Sequence, residues 1–289
     1  MTTAQAEQIL DRYTRVNTQA NATFDAALWE FSHAGYQQRT AMDASERAAY
    51  KAEFSYVDRT FYLPGPNDQA TWFAVTARVE DRTGVSDDLV LLIVDRDSTG
   101  AWKVVASASI AAGQMPRLAT TSGHAVTVPG PAVLRAAPAA PGGLPAAYAD
   151  LYVSEGRGSG QIFGDTPAAA HARAMPAVQN RALAPDGTAS YAPVAGSSRM
   201  YALATADGGV LALFSVVIRE EDRGTRADST LYPSPRMAVY TGGLGASWFR
   251  IDHLHLGAAY LPAQGPVQLL AMRSSIVAVQ APDPVDAGQ

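Results

Sequence analysis

Apolar residues recur at three- and four-residue steps from Ile9 through Tyr13, Val16, Ala20, Phe24 and Leu28 to Phe31. A stripe of that period predicts one long helix over Ala4 to Phe31, with a single face turned to a core. Gly35 and the polar run from Gln37 to Ser45 interrupt it, and Ser45 then stands as N-cap of a short helix ending near Tyr50. Beyond this point the period falls to two. Phe73, Val75 and Ala77 alternate with Trp72, Thr76 and Arg78, and strands are predicted over Phe54 to Leu63, Thr71 to Asp81, Asp88 to Asp95 and Trp102 to Ala111. The unbroken apolar run from Leu89 to Val94 predicts a central strand covered on both faces. Asp95 to Gly100 is a cluster of turn formers that leads into Trp102.

The character changes at Gly113. Pro116, Pro129, Pro131, Pro138, Pro141 and Pro145, set among Ala and Gly, cannot support regular strands throughout. The expected organisation is a first unit over 1–112 and a linker over 113–143, followed by a second unit over 144–281 and a frayed tail over 282–289. An extended piece of the linker near His124 to Val128 is expected to pack on the first unit; a flexible tether is the alternative. The second unit reads as helices over Ala146 to Val153 and Thr166 to Leu183. Thr166 is the N-cap of the latter and Pro167 its first residue, and Pro176 is expected to kink or end it. Strands follow at Ser190 to Val194, Met200 to Ala206, Val210 to Glu220, Arg236 to Thr241, Trp248 to Tyr260 and Gln268 to Val279, with a tight hairpin at Asp207-Gly-Gly. Each half runs from helices to strands joined by short turns, which is an α+β arrangement with antiparallel sheets rather than a parallel α/β fold.

Two segments match at a constant offset. Phe73/Phe214, Val75/Val216, Arg78/Arg219, Glu80/Glu221, Asp81/Asp222 and Arg82/Arg223 are identical pairs, and the Trp102-Lys-Val-Val pattern returns as Trp248-Phe-Arg-Ile. Such an offset predicts one structural unit used twice. The segment Gly100-Ala-Trp-Lys-Val-Val105, and more loosely Gly245 to Ile251, resembles the later hairpin of NTF2-like (cystatin-like) rolls. That resemblance implies two tandem rolls, each with N-terminal helices packed on a curved antiparallel sheet. A wider resemblance rests on Asn17-Thr-Gln-Ala-Asn21 in the first helix, on Trp72-Phe-Ala-Val75 and Trp102-Lys103, and on Gly113-Gln-Met-Pro116, where Gln114 replaces the usual glutamate. In these features the chain is similar to a family of actinobacterial envelope proteins of unknown function, of lipoprotein type. The resemblance implies an extracytoplasmic, membrane-anchored location, with the cytoplasm as the alternative, and it carries no activity with it. The anchor would have to lie upstream, because the chain has no lipid-accepting cysteine.

Composition narrows the classes further. Of the residues 47% are hydrophobic and 17% charged, as in a folded globular chain. A net charge of −5 argues against a nucleic-acid footprint, which needs clustered positive charge; lysine is scarce, Lys51 and Lys103 only, so arginine carries nearly all the positive charge. The chain has no cysteine, so disulfides, thiolate metal sites and thiol nucleophiles are excluded. No apolar run reaches the length that spans a bilayer.

Candidate chemistry is sparse. His253 and His255 alternate along a predicted strand, so both imidazoles share a face and could begin a metal site, with Asp252 opposite. The plainer reading is two half-exposed histidines on a sheet surface, and no cofactor is expected. Asn17, Asn21 and Asp25 follow one another at four-residue steps and could floor a pocket, or serve as structural hydrogen-bonding groups. Arg78/Glu80 and Arg219/Glu221 fit cross-strand ion pairs better than catalytic groups. Gly156-Arg-Gly-Ser-Gly160 lacks the ending of a phosphate-binding loop. The expected function is therefore non-enzymatic: an exported envelope protein binding a ligand or protein partner through a sheet face or the cleft between units. The alternative is an isomerase- or cyclase-like enzyme, in which a buried Asp or His faces a tyrosine such as Tyr56, Tyr62 or Tyr201.

Overall fold

A computed structural model describes residues 1–33, 53–65, 71–128, 143–196 and 199–282. The short helix expected near 45–50 and most of the tail lie outside them. Helix α1 (Thr3–Thr23) opens on a capping box between Thr2 and Gln5. It ends one residue short of Asp25, where Phe24 adopts a left-handed backbone, and α2 (Ala26–Ser32) begins anew. The single long helix read from the stripe is thus two. Asp25 causes the break by accepting from Ala27 N at 2.9 Å, an N-cap bond that competes with helix continuation. The turn folds Trp29 back, so that its Nε1 donates to Asn21 Oδ1 at 3.0 Å while the ring is buried. The buried face is also rotated from the expected one: Leu10, Tyr13, Asn17, Ala20 and Asn21 point inward, whereas Phe31 is exposed.

Strands β1 (Phe54–Tyr62), β2 (Phe73–Asp81), β3 (Gly84–Arg96) and β4 (Trp102–Ile110) form an antiparallel meander. One face carries Phe73, Val75, Leu92, Val94 and Val104 against Ala6, Leu10 and Tyr13 of α1. The other carries Ala74, Leu91, Ile93, Val105 and Ile110 against Leu203, Leu211, Leu213 and Ala258 of the second half. That double cover explains the unbroken apolar run of β3. Asp97 closes the hairpin before β4 by accepting from the backbone of Thr99 and Ala101.

The second half contributes α3 (Leu144–Ser154), α4 (Pro167–Leu183), β7 (Gly187–Pro193), β8 (Arg199–Ala204), β9 (Val210–Gly224), α5 (Pro235–Thr241), β10 (Trp248–Leu261) and β11 (Gln268–Gln280), after two short strands β5 (Thr120–Thr121) and β6 (His124–Ala125). Strands β7 and β8 lie end to end along β9, and β10 and β11 complete the antiparallel sheet. Helices α3 and α4 cover its outer face through Leu144, Tyr148, Leu151, Ala169 and Ala172. The layers therefore stack helix, sheet, sheet, helix.

Helix α4 does not end at Pro176: Asn180 exchanges hydrogen bonds with both backbone groups of Ala189 and holds the far end of the helix on β7. One expectation is overturned here. Residues 236–241 form α5 rather than a strand; Ser234 caps it and Pro235 is its first residue, a start signal that outweighs the β-branched content. The matched segments fall on β2 and β9, and Phe73 and Phe214 both face the helices of their own half. The tryptophan match does not correspond: Trp102 opens the fourth strand of its meander, whereas Trp248 opens the strand directly after β9.

The described part of the proline-rich stretch is stitched to both halves. Ala125 N donates to Leu63 O, while Ala119, Val126 and Val128 exchange backbone hydrogen bonds with β8 at 2.8–2.9 Å. Leu118 and Ala125 are buried in the apolar layer between the sheets. Because that layer is continuous, Leu91→Ala is expected to lower stability by about 2–5 kcal/mol. Urea unfolding followed by tryptophan fluorescence and by far-UV circular dichroism should show one coincident transition, in the parent and in the variant.

Candidate functional site

Along β9 the phase that faces the helices reads Phe214, Val216, Ile218, Glu220, Asp222. Three apolar residues are followed by two carboxylates on the same buried side, and both acids remain inside, 5% and 2% exposed. The neighbouring strand β10 places His253 and His255 on that side, helix α3 brings Tyr148 and Tyr152 one turn apart, and β7 adds Tyr191. Glu220, these histidines and tyrosines, Met175 and Gln179 of α4, and Arg236 and Met237 of α5 line a cavity of about 350 Å³, and Asp222 lies behind its wall, outside the lining. Gly257 shapes the sheet beside it, since a Cβ there would come within 2.6 Å of the Phe214 ring and the Met272 methyl.

His253 Nε2 lies 2.8 Å from Glu220 Oε2, and the Tyr148 hydroxyl lies 2.9 Å from His255 Nδ1. The rings of Tyr152 and His255 meet edge-on at 4.9 Å. Four polar atoms of this cluster, Glu220 Oε1, Asp222 Oδ1, Tyr191 OH and His255 Nε2, are buried without a hydrogen-bond partner. Each such atom costs about 1–3 kcal/mol in a folded protein. Among the described residues the remaining atoms of this kind are His124 Nδ1 and Ser275 Oγ, so the deficit is concentrated in one place.

Burial, reinforced by the neighbouring Glu220, pushes the Asp222 carboxyl up to about 8. Burial, with His253 alongside, holds His255 down to about 3 and keeps it neutral. It also raises the hydroxyls of Tyr148, Tyr152 and Tyr191. The cluster thus combines a proton-holding acid, a neutral imidazole and an imidazole–carboxylate pair, a combination suited to hydrogen-bonding and proton-transfer roles.

The structure distributes the expected site residues unevenly. Asn17, Asn21 and Tyr56 line a separate cavity of about 410 Å³ beneath α1, which extends past β4 to Met272 and Arg273 of β11. Its polar groups form a connected row: Asn17 Nδ2 donates to Tyr13 OH, which sits 3.1 Å from His33 Nε2, and His33 Nδ1 contacts Ser32 Oγ at 2.7 Å. Burial lowers His33 to about 3 and raises Tyr56 to about 12. Asp25 is a helix cap outside this cavity, whereas Tyr62 and Tyr201 pack in the layer between the sheets. His253 and His255 share a face as expected, but it is an enclosed one rather than a sheet surface. Among the described residues no three His, Asp or Glu side chains are grouped to hold a metal ion, and His253 pairs with Glu220 instead. Asp252 points away and binds Arg219 through both guanidinium arms. The glycine-rich loop also has a plain role: Gly158 and Gly160 donate their N–H groups to the protein's own Asp150, at 2.9 and 2.7 Å.

The chain belongs to the family described as Domain of unknown function (DUF8094), whose model matches residues 1–281. It is 25% identical over 229 residues to an uncharacterized lipoprotein of Streptomyces coelicolor, an alignment covering 74% of this chain and 64% of the relative. The chain thus spans less than two thirds of the length of that lipoprotein. No solved structure matches it. Among the described residues no helix is long and apolar enough to cross a membrane.

The buried acid and imidazoles have opposite effects on stability. Folded Asp222 keeps its proton up to about 8, so stability falls as pH rises from the ordinary carboxylate range through that value. His33 and His255 stay neutral when folded, so stability falls as pH drops from 6.5 towards about 3. Asp222→Asn should remove the alkaline loss, making the variant more stable than the parent at pH 9 by about 1–3 kcal/mol and closely similar at pH 4, as read by urea unfolding at both pH values.

Proposed function

We propose that the chain is the extracytoplasmic, ligand-binding part of a lipid-anchored envelope protein, and that its ligand occupies the cavity of the second half. The observation that carries this reading is that three buried polar atoms without a hydrogen-bond partner, Glu220 Oε1, Tyr191 OH and His255 Nε2, belong to side chains lining one cavity. A folded protein tolerates such a deficit most readily where another molecule supplies the missing partners. The lipoprotein relative supports the location, and the two helix-covered antiparallel sheets support a pair of NTF2-like rolls derived from one duplicated unit. In that scheme the first half acts as the support. Its polar row is internally satisfied, and its sheet buttresses the sheet that holds the cavity.

One observation favours a second reading, an enzyme of acid–base type. His253 and Glu220 form a 2.8 Å pair beside Asp222, a carboxyl that holds its proton near neutrality. This provides a proton acceptor and a proton donor side by side.

Methionine-methyl NMR separates an open site from a filled core, because Met175, Met237 and Met272 all line the cavity. In a screen of small fragments of mixed charge, some are expected to shift these three signals while leaving Met115 unmoved. Ala172→Leu, which places bulk at the cavity wall, should abolish the shifts. If no fragment of any charge moves those methyls, the ligand-binding reading fails.

A further inference from the structure

The groups that lack partners state what a ligand has to supply. Glu220 Oε1, the carboxylate oxygen that His253 does not hold, can only accept a hydrogen bond. The Tyr191 hydroxyl both donates and accepts, and it stands close to Glu220. His255 has its Nδ1 against the Tyr148 hydroxyl at 2.9 Å, and its Nε2 donates or accepts according to the tautomer. An ammonium group cannot serve a donor and a carboxylate cannot serve an acceptor, whereas a hydroxyl serves all three atoms. All three belong to side chains lining the cavity, and Glu220 and His255 are only 5% and 2% exposed.

Charge favours neither sign of ligand. Glu220 is paired with His253, His255 is neutral, and Asp222 keeps its proton near neutrality behind the wall, beside Gln179. Arg236 of α5 lines the same space and donates to the Ser274 carbonyl of β11 at 3.5 Å. With His171 and Ser234, exposed as it is, Arg236 marks the mouth between α4 and α5. Polar groups thus stand at both ends, and the rings between them are tyrosines: Tyr152 lies 5.5 Å from Tyr191 and 6.3 Å from Tyr148. Such rings present flat apolar faces together with a hydrogen-bonding tip. One hydroxyl cannot reach both ends of this space, and an apolar body alone would leave the inner polar atoms unpaired.

We infer that this cavity takes an uncharged sugar ring, with hydroxyls on Glu220, Tyr191 and His255 and its C–H face laid on the tyrosine rings. The inference rests on the ligand-binding reading above and adds the chemical class of what is bound. A pyranose has the required mixture: hydroxyls that donate and accept around its edge, and a face of C–H groups. A site built on such bonds discriminates against rings that lack the hydroxyls, because its buried polar atoms are then left unpaired.

The test titrates the methyl glycosides of glucose, galactose and mannose into the whole chain, beside cyclohexanol, cyclohexanecarboxamide, cyclohexylamine and cyclohexanecarboxylate. The methyls of Met175 and Met237 report the cavity, and Met115 reports the layer between the sheets. At least one glycoside is expected to bind at least about tenfold more tightly than any of the four substituted cyclohexanes. Glu220→Gln and Tyr191→Phe should each weaken that glycoside at least about tenfold, with the Met115 signal unmoved. Tyr191→Phe should leave the unliganded chain as stable as the parent or more so, because it removes a buried hydroxyl without a partner. A loss of stability with unchanged sugar binding makes that hydroxyl structural and overturns the assignment. Binding of any substituted cyclohexane as tightly as the glycosides overturns it as well, and leaves the cavity a ligand site of other chemistry. The same holds if other fragments move the methyls and no glycoside does. Failure of every fragment removes both readings together.

Discussion

Two antiparallel sheets pressed face to face set the terms for everything else in this protein. Leu91, Ile93 and Val105 of one sheet meet Leu203, Leu211 and Leu213 of the other, and each sheet must then cover its remaining face with helices. That requirement places α1 on one outer side and α3 and α4 on the other. It also explains why both central strands, β3 and β9, are apolar on two faces over much of their length. The buried layer is stiff because it is packed from both directions. A stiff backing allows the outer, helix-side faces to carry hollows and charged groups without collapse.

The two hollows use their polar residues differently. Beneath α1 an asparagine, a tyrosine, a histidine and a serine complete one another's hydrogen bonds, so the groups are structural as they stand. Against β9 and β10 the bonds are left incomplete, and two acids sit where solvation is poor. Such an arrangement reduces stability at neutral pH, and regions that reduce stability in this way tend to be where function is located. Family membership in a group of unknown function leaves that physical contrast as the main guide to which hollow matters.

Much of the fold is legible in the sequence because its signals are local. The period-two runs locate most of the strands of both sheets, and Thr166 with Pro167 marks the start of α4. The misreadings are also local, but they involve competition between signals. Asp25 breaks a helix that the apolar stripe would have continued, and Ser234 with Pro235 starts a helix where Met237, Val239 and Tyr240 read as a strand. The site is harder to see. Asn17, Asn21 and Tyr56 do meet in one cavity, but Asp25, Tyr62 and Tyr201 serve in a cap and in the core. Glu220 and Asp222 are masked by the repeated Arg-x-Glu pattern, which draws the eye to Arg219 and Glu221, the solvent-side phase of the same strand. The readable clue is their alternation with Phe214, Val216 and Ile218. Tyr148 and Tyr191 give no comparable hint, since only tertiary packing brings α3 and β7 to the histidines.

The described part of the connection between the halves is a seam. Residues 117–128 lie along the outer edge of β8 and also reach the end of β1, hiding Leu118 and Ala125 between the sheets. Cutting the chain into two expressible pieces would leave β8 with a bare row of backbone donors and acceptors beside newly exposed leucines. A naked, apolar strand border of that kind recruits copies of itself, so the separated second half would be expected to self-associate.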